Sequence, residues 1–293
     1  MLKDSFLRYL TLERNYSEKT VQSYGMDLDQ FEMFFKEVDG DLDFTHIDAS
    51  IIRSWVMTLM DDKYKASSVN RKLSSLRAFY RYLLRIKAVA VDPTIKVVAP
   101  KKSKPLPVFV KEADMNRLLD DVPFGDDFKG VRDRMIIEMF YSTGMRSAEL
   151  IGLSDGDVDF SASVIKVTGK RNKQRLIPFG EELRMDMQAY LSIRNETCEN
   201  LSGAFFVNEK GIRLAYSAIN LIVKRNLSKV VTLKKKSPHV LRHSFATSML
   251  NNDAELESVK ELLGHASLAA TQVYTHTTFE ELKKVYELAH PRA

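Results

Sequence analysis

Cysteine is nearly absent from this chain of 293 residues, in which Cys198 is the single example. One cysteine cannot form an internal disulfide or supply a cysteine-based zinc site, which excludes disulfide-stapled secreted proteins and zinc fingers. The six histidines include no HExxH pair of the kind that holds catalytic zinc. We therefore expect a protein of a reducing, cytoplasmic compartment that has no metal site.

Long apolar segments are also missing. No run approaches the roughly 20 residues that a membrane-spanning helix needs, and the N-terminus, MLKDSFLRYLTLERNYSEK, does not resemble a signal peptide. The composition, with 44% hydrophobic and 28% charged residues, is typical of a folded globular protein. The sequence thus predicts no membrane partner, and its length favours two domains.

Positive charge is unevenly distributed, although the net charge is only +5. Residues 1–60 contain six Lys or Arg and eleven Asp or Glu, whereas residues 63–111 contain thirteen Lys or Arg and one acid, Asp92. Such a block is either a solvated basic face or a phosphate-binding surface. Its length favours the phosphate-binding surface.

Apolar residues recur every three or four positions in the first part of the chain, which predicts a helical domain over residues 1–90. Helices are expected after the N-cap candidate Ser17, near 48–60 and over about 67–87. The core-facing residues of the last of these helices are Val69, Leu73, Leu76, Tyr80 and Leu83. An arginine row lies beside them at four-residue spacing, namely Arg77, Arg81 and Arg85. This row suits a DNA surface, and a solvated face is nearly as good an explanation.

Residues 91–110 contain four prolines and four lysines without periodicity, which predicts an extended basic linker. The remainder, 111–293, is predicted to be a mixed α/β domain. It is mainly helical with one β-hairpin, in which SVIKV and QRLIPF are the strands around a GKRN turn. The expected fold is therefore mainly α with a small sheet, and the two domains could clamp DNA.

Three separated stretches contain candidate functional residues. TGMRSAEL places Arg146 in an apolar helix with Glu149 three residues on, and the hairpin turn is strongly basic. The third stretch, SPHVLRHSFATSM, holds two histidines four apart and an arginine. From spacing alone it is a metal site, an anion site or an ordinary solvent face.

Taken together, these stretches resemble the tyrosine recombinase (phage integrase) family. The motifs RSAEL, GKRNKQR, HVLRHSFAT, LLGHAS and TQVYTH occur in the order of that family, and NYSEKTVQSYGMDL is similar to its core-binding domain. The closing HPRA and the compact length look most like the cellular Xer recombinases. The resemblance favours the anion site over the metal site for His239 and Arg242, and it leaves His243 with a structural role.

The resemblance implies DNA strand transfer without a cofactor. Its catalytic residues would be Arg146, Lys170, His239, Arg242, His265 and the nucleophile Tyr274. Residues expected to contact DNA are Arg71, Lys72, Arg77, Arg81, Lys101, Lys102, Lys173 and Arg175. Lys170 would be the general acid, with Lys173 as an alternative. The expected intermediate is a phosphotyrosyl bond to the 3′ phosphate of the DNA.

The resemblance also implies an assembly and a cellular role. The expected partners are a double-stranded recombination site, a homotetramer or a heterotetramer with a paralogous recombinase, and a cell-division DNA translocase. The closing segment 279–293 would dock on the neighbouring protomer through Leu282, Val285, Tyr286 and Leu288, unless it packs on its own domain. The expected role is resolution of chromosome dimers. Alternatives are a mobile-element integrase, a type IB topoisomerase-like enzyme and a non-catalytic DNA-binding module.

Overall fold

The structure is a computed structural model that describes residues 2–102, 108–169, 172–200, 202–264 and 279–293. The chain divides into two compact units, Met1–Pro105 and Leu106–Ala293. The prediction of a mainly helical chain with a small sheet in its second half is confirmed. Among the described helices, none has the length and apolar content that a membrane crossing requires.

The described part of the first unit consists of helices joined by short turns. They are α1 (Leu2–Leu12), α2 (Glu18–Val38), α3 (Ala49–Asp61) and α4 (Ala66–Arg85). Helix α3 begins where the side chain of Asp48 accepts from the backbone N–H groups of Ser50 and Ile51. Ser17 precedes α2 as predicted, but its hydroxyl bonds the Thr20 side chain instead of capping the backbone.

The core of this unit confirms the predicted stripe on α4. All five of its residues, Val69, Leu73, Leu76, Tyr80 and Leu83, are fully buried. Helix α1, which the sequence analysis did not identify, adds Phe6 and Leu10 to the same core. Each apolar face is therefore covered by a neighbouring helix, as the three- and four-residue spacing requires.

Residues 91–100, the first half of the extended linker predicted over 91–110, pack on the first unit. Val97 is 2% exposed in the core of the first unit. Its carbonyl accepts from Arg77 at 2.9 Å, and the carbonyl of Pro100 accepts from Asn70 at 2.8 Å. Proline has no backbone N–H, so this segment cannot pair all of its carbonyls with its own backbone. Side chains of α4 donate to these carbonyls instead, which allows the segment to pack against the unit.

The second unit surrounds its sheet with helices. Its elements are α5 (Glu112–Asn116), which continues into a π-helical turn over Arg117–Asp121, then α6 (Phe128–Thr143), α7 (Ser147–Gly152), β1 (Val158–Asp159), β2 (Val164–Thr168), β3 (Gln174–Pro178), α8 (Glu181–Thr197), α9 (Tyr216–Leu227), α10 (Pro238–Asn251), α11 (Leu256–Leu263) and α12 (Phe279–Ala289). Helix α6 is buried along nearly its whole length, so it forms the centre of this unit.

The predicted hairpin is present. Strands β2 and β3 pair antiparallel, with Ile165 opposite Ile177. The backbone N–H of Gly169 donates to the carbonyl of Lys173 at 2.7 Å and closes the hairpin. The short strand β1 pairs with the outer edge of β2 and makes a three-stranded antiparallel sheet, which the sequence analysis did not predict.

The C-terminal helix packs on its own unit. Three of the four expected anchors, Leu282, Val285 and Tyr286, lie against α10 and α11 in this unit, and Tyr286 is fully buried. The fourth anchor, Leu288, is 87% exposed. The anchors expected to dock on another protomer are therefore placed in the chain's own core, because the apolar face of α12 is already covered there.

The last residues continue this packing with polar contacts. The ring of His290 stacks on Tyr286 and Phe245. Its Nε2 lies 3.1 Å from the carbonyl of Tyr141, and its Nδ1 accepts from the backbone N–H of Arg292 at 3.1 Å. A neutral imidazole satisfies both bonds, with the proton on Nε2. Burial, supplemented by the charge of Arg292, lowers the pKa of His290 to about 4.

We predict that His290 makes the protein less stable in mild acid. The unfolded chain would take up a proton near pH 6.5, whereas the folded protein resists it down to about pH 4. The contribution of His290 is therefore complete above pH 6.5 and is lost as the pH falls toward 4, by up to about 3 kcal/mol. Urea denaturation of wild type and His290→Phe at several pH values tests this.

His290→Phe should give a shallower decline in unfolding free energy between pH 6.5 and 4. Tyr286→Phe provides the control, because it keeps the ring that stacks on His290, and it should keep the wild-type slope. Equal slopes for His290→Phe and wild type would contradict the prediction.

Candidate active site

Arg146 is positioned by the junction between α6 and α7. Helix α6 ends at Gly144, whose φ of +58° is a left-handed conformation that side chains disfavour. Two residues later Arg146 precedes the first turn of α7, and its backbone N–H donates to Glu149 Oε2 at 2.7 Å. The RSAE sequence therefore fixes the backbone of Arg146 by a local capping interaction.

Helix α10 brings Arg242 to the same place. Pro238 lies in the first turn, where its missing N–H costs nothing. Arg242 follows one turn later and is 8% exposed. It donates to the carbonyl of Gly144 at 2.6 Å and to that of Leu263 at 2.7 Å. Arg242 thus joins the end of α6 to the end of α11.

Three arginines converge on the C-terminal end of α11. The last carbonyls of a helix have no partners within it and carry the negative end of its dipole, so they attract cationic donors. Gly264 ends α11 with a φ of +63°. The three consecutive carbonyls accept as follows: Leu262 from Arg175 (2.8 Å), Leu263 from Arg242 (2.7 Å) and Gly264 from Arg146 (3.1 Å).

Glu149 is the carboxylate that pairs with this cluster. It is 4% exposed, and it accepts from Arg146 Nη1 at 2.8 Å and from both Nη atoms of Arg175 at 2.8 and 3.0 Å. Burial alone would raise the pKa of Glu149, but the hydrogen bonds and charge of Arg175, with the bonds from Arg146, lower it to about 2. Glu149 is therefore ionised at neutral pH.

The cluster keeps an excess of positive charge, because three guanidinium groups face this single carboxylate. Burial, followed by the charges of Arg146 and Arg175, lowers the pKa of Arg242 to about 10. Within the described residues, Arg146 and Arg242 each use two of their five N–H groups, and the Arg146 side chain is 38% exposed. The arrangement is suited to an anion that accepts from both.

His239 lies near the arginines and is exposed on α10. Burial of part of the ring lowers its pKa below 6.5, and the charges of Lys235, Arg242, His243 and Arg146 act in the same direction. Lys235 was not among the predicted site residues, although the run of three lysines at 234–236 directly before α10 could have indicated it. His243, expected to be structural, is exposed instead of packed.

Three predicted catalytic residues, Lys170, His265 and Tyr274, lie outside the described residues. The chain enters the segment with His265 and Tyr274 directly after Gly264, and it leaves that segment at the start of α12. Among the described ranges, no group of three or more His, Cys, Asp or Glu side chains is arranged to hold a metal ion.

Arg175 is not placed as the DNA contact that was predicted. Its side chain is 15% exposed, and all three of its nitrogens donate to groups within the protein. The alternation of side chains along β3 could have predicted this burial, because Arg175 and the fully buried Ile177 point to the same face of the strand. Lys173, by contrast, is exposed.

Part of the predicted basic surface of α4 is used inside the first unit. Lys72 is 9% exposed and bonds Asp27 and Gln30, so it is not available to DNA as predicted. Asp27 is itself 1% exposed and also pairs with Arg71, because a buried carboxylate needs such donors. Arg71 keeps 48% of its side chain exposed.

The other predicted DNA contacts of this unit differ in exposure. Arg77 is partly buried and donates to the carbonyl of Val97. Arg81 is exposed, with its Nε donating to the backbone of Arg77. Lys101 and Lys102 are exposed as well. Of the DNA contacts predicted for this unit, Arg71, Arg81, Lys101 and Lys102 therefore have exposed side chains.

Comparison with known proteins matches both units to one family. Residues 109–281 match the model of the phage integrase family, and residues 4–87 match that of the phage integrase N-terminal SAM-like domain. Tyrosine recombinase XerC of Pelotomaculum thermopropionicum is 40% identical over 300 residues, covering 99% of this chain and 98% of that protein. XerC of Staphylococcus saprophyticus is 39% identical over 293 residues, covering 100% of this chain and 98% of that protein.

A solved structure supports the fold. The crystal structure of XerH site-specific recombinase bound to its difH substrate aligns with a TM-score of 0.70 at 22% identity, over 96% of this chain and 83% of that one. The family matches and the full-length relatives agree with the motifs in the sequence. The chain therefore belongs to the phage integrase family and is a site-specific tyrosine recombinase, most similar to the Xer recombinases.

Proposed function

We propose that this recombinase cuts and rejoins DNA strands through a 3′-phosphotyrosyl intermediate, with the arginine cluster as its phosphate site. The observation that carries the proposal is the excess of positive charge where Arg146 and Arg242 meet at the end of α11. Cations that repel one another in the free protein are stabilised when a phosphate enters between them.

Arg146 and Arg242 act on the transition state. Strand transfer passes through a five-coordinate phosphorus whose equatorial oxygens carry more negative charge than in the starting diester. Fixed, planar and permanently charged donors stabilise that charge best. The protein bonds already hold both guanidinium groups in place before DNA binds. His265 adds a hydrogen bond to the same phosphate group.

Tyr274 is the nucleophile. Its phenolic oxygen bonds to phosphorus while the bond from phosphorus to the 5′ oxygen breaks. His239 accepts the phenolic proton, and Lys170 gives a proton to the departing 5′ oxygen. The covalent linkage conserves the energy of the broken phosphodiester bond, so rejoining is the same step in reverse and needs no ATP.

We predict that Tyr274→Phe abolishes the covalent adduct, because phenylalanine has no oxygen to form the bond. The measurement is denaturing gel electrophoresis of the protein after incubation with a nicked DNA site. Tyr286→Phe is the matched control, since Tyr286 is a fully buried core residue, and it should keep the adduct. An adduct with Tyr274→Phe would disprove the assignment, and mapping the covalent peptide would identify the true nucleophile.

We predict that cleavage slows in mild acid. The pKa of His239 lies below 6.5, so its ring is mainly neutral at pH 7 and can accept a proton. The single-turnover cleavage rate should be constant near neutral pH and should fall as the pH drops through that lowered pKa.

A charge substitution tests the cause of this pH dependence. Lys235→Gln removes a positive charge that lowers the pKa of His239, so the decline should shift to higher pH. Lys210→Gln, at an exposed position in the loop between α8 and α9, is the control and should leave the profile unchanged. A profile that Lys235→Gln does not shift would argue against His239 as the base.

We also propose that the cellular role is resolution of chromosome dimers. Support comes from relatives named XerC that are about 40% identical over the whole chain. The test is to trap covalent adducts on genomic DNA of the encoding organism and to sequence the DNA attached to the protein. Adducts concentrated at one chromosomal locus would support the proposal, whereas adducts at the ends of a mobile element would indicate an integrase.

The proposed assembly is a tetramer on two DNA sites, because exchange between two duplexes requires four strand cleavages. Four copies of this chain, or two copies with two of a paralogous recombinase, meet that requirement. Contacts to the DNA backbone would come from the exposed basic side chains, namely Arg71, Arg81, Lys101, Lys102 and Lys173. A cell-division DNA translocase is the proposed activator. Relaxation of a plasmid without a recombination site would instead indicate a topoisomerase-like activity.

A further inference from the structure

Arg175 occupies a distinctive place in the arginine cluster. It lies on β3, away from the α6–α7 junction that holds Arg146 and from α10, which carries Arg242, and its side chain is only 15% exposed. Its Nε donates to the carbonyl of Leu262, while its two Nη atoms donate to the two oxygens of Glu149. This one side chain therefore links the hairpin, the end of α11 and the carboxylate that holds Arg146.

The guanidinium of Arg175 lies in close contact with the end of α11. A Cβ atom on Gly264 would lie 3.1 Å from both Cδ and Nη1 of Arg175 and 3.3 Å from Cζ. The guanidinium therefore packs directly beneath the residue where α11 ends. In this position it cannot turn outward to a phosphate without breaking its three bonds to the protein.

The charge distribution indicates what Arg175 does. Glu149 Oε1 accepts from both Arg146 and Arg175, so the two guanidinium groups share one negative charge. Without Arg175, the whole charge of the buried carboxylate would act on Arg146. Arg146 would then form a closer pair with Glu149 and lose part of the positive charge that it offers to an anion.

We propose that Arg175 is a positioning residue for strand cleavage. It neutralises Glu149 so that Arg146 stays available to the phosphate, and it holds the end of α11 from which the chain continues toward His265. It makes no phosphate contact of its own. The inference rests on the proposed function, because it concerns how the phosphate-binding arginines are held.

Two substitutions at Arg175 test the proposal by single-turnover cleavage of the mapped site. Arg175→Gln removes the charge and the bonds, and we expect a decrease of about 100-fold, as is typical when a catalytic group is displaced by about an ångström. Arg175→Lys keeps the charge but cannot bond Leu262 and both Glu149 oxygens together, so it should also be strongly impaired. Cleavage at the wild-type rate by Arg175→Lys would overturn the proposal.

The double variant Glu149→Gln/Arg175→Gln separates positioning from a general structural defect. If Arg175 acts through the charge of Glu149, the double variant should cleave no more slowly than Arg175→Gln alone. Independent structural defects would multiply. All rates are measured where circular dichroism shows each variant folded. If Arg175→Gln does not fold alone, the double variant is compared with Glu149→Gln, and a further loss of about 100-fold in that background overturns the proposal.

Salt dependence of DNA binding distinguishes positioning from direct contact. A residue that contacts phosphate contributes about one unit to the slope of log affinity against log salt concentration. Lys173→Gln, at the exposed lysine two residues away, should reduce the slope by about that amount. The double variant Glu149→Gln/Arg175→Gln keeps the net charge of the cluster and should leave the slope unchanged. A reduced slope for this double variant would show direct contact and overturn the proposal.

The two proposals fail in different ways. If wild type forms no adduct on any DNA, the proposed function fails, and the salt slopes on an unrelated duplex still test whether Arg175 contacts phosphate. If wild type cleaves and Arg175→Lys cleaves equally well, the proposed function stands and only the role of Arg175 is refuted.

Discussion

The second unit depends on the hydrogen bonds that three arginine side chains donate to the C-terminal end of α11. Three arginines from separate parts of the chain each donate to one of the last carbonyls of α11, and Glu149 is the carboxylate among them. A helix end needs donors for its free carbonyls, and the arginines need acceptors. One set of bonds meets both needs and leaves positive charge for an anion. Structural support and phosphate binding are thus properties of the same groups.

Two glycines allow the arginines to approach the helix ends this closely. Gly144 and Gly264 end α6 and α11 in left-handed conformations, and each offers its carbonyl to an arginine. A Cβ on Gly144 would lie 2.5 Å from Phe245 Cδ1 and 2.8 Å from Leu263 Cδ2. Only glycine therefore allows the two helix ends to approach Arg242 so closely. The motifs TGMRSAEL and LLGHAS contain these glycines because the backbone geometry of the site requires them.

Buried charge plays a comparable role in the first unit and in the C-terminal tail. The buried Asp27 forms ion pairs with Lys72 and Arg71 of α4. The basic side chains in this part of α4 therefore bond to the first unit itself. Arg292, 6% exposed, bonds Glu138, Asp120 and Glu182, and so ties the end of the chain to three other elements of its unit. In both places an ion pair at low exposure fixes how elements pack, since leaving either partner alone would be costly.

The sequence by itself determined the helical class, the hairpin, the α4 core stripe and the motifs that indicate the family, because these depend on local spacing and residue type. Only the tertiary structure decided that Arg175 faces Glu149, 26 residues away, and that Arg71 pairs with Asp27, 44 residues away. It also decided that residues 91–100 pack on the first unit and that the face of α12 is covered by its own unit. Periodicity shows which side of an element is apolar. It does not show which distant group will meet that side.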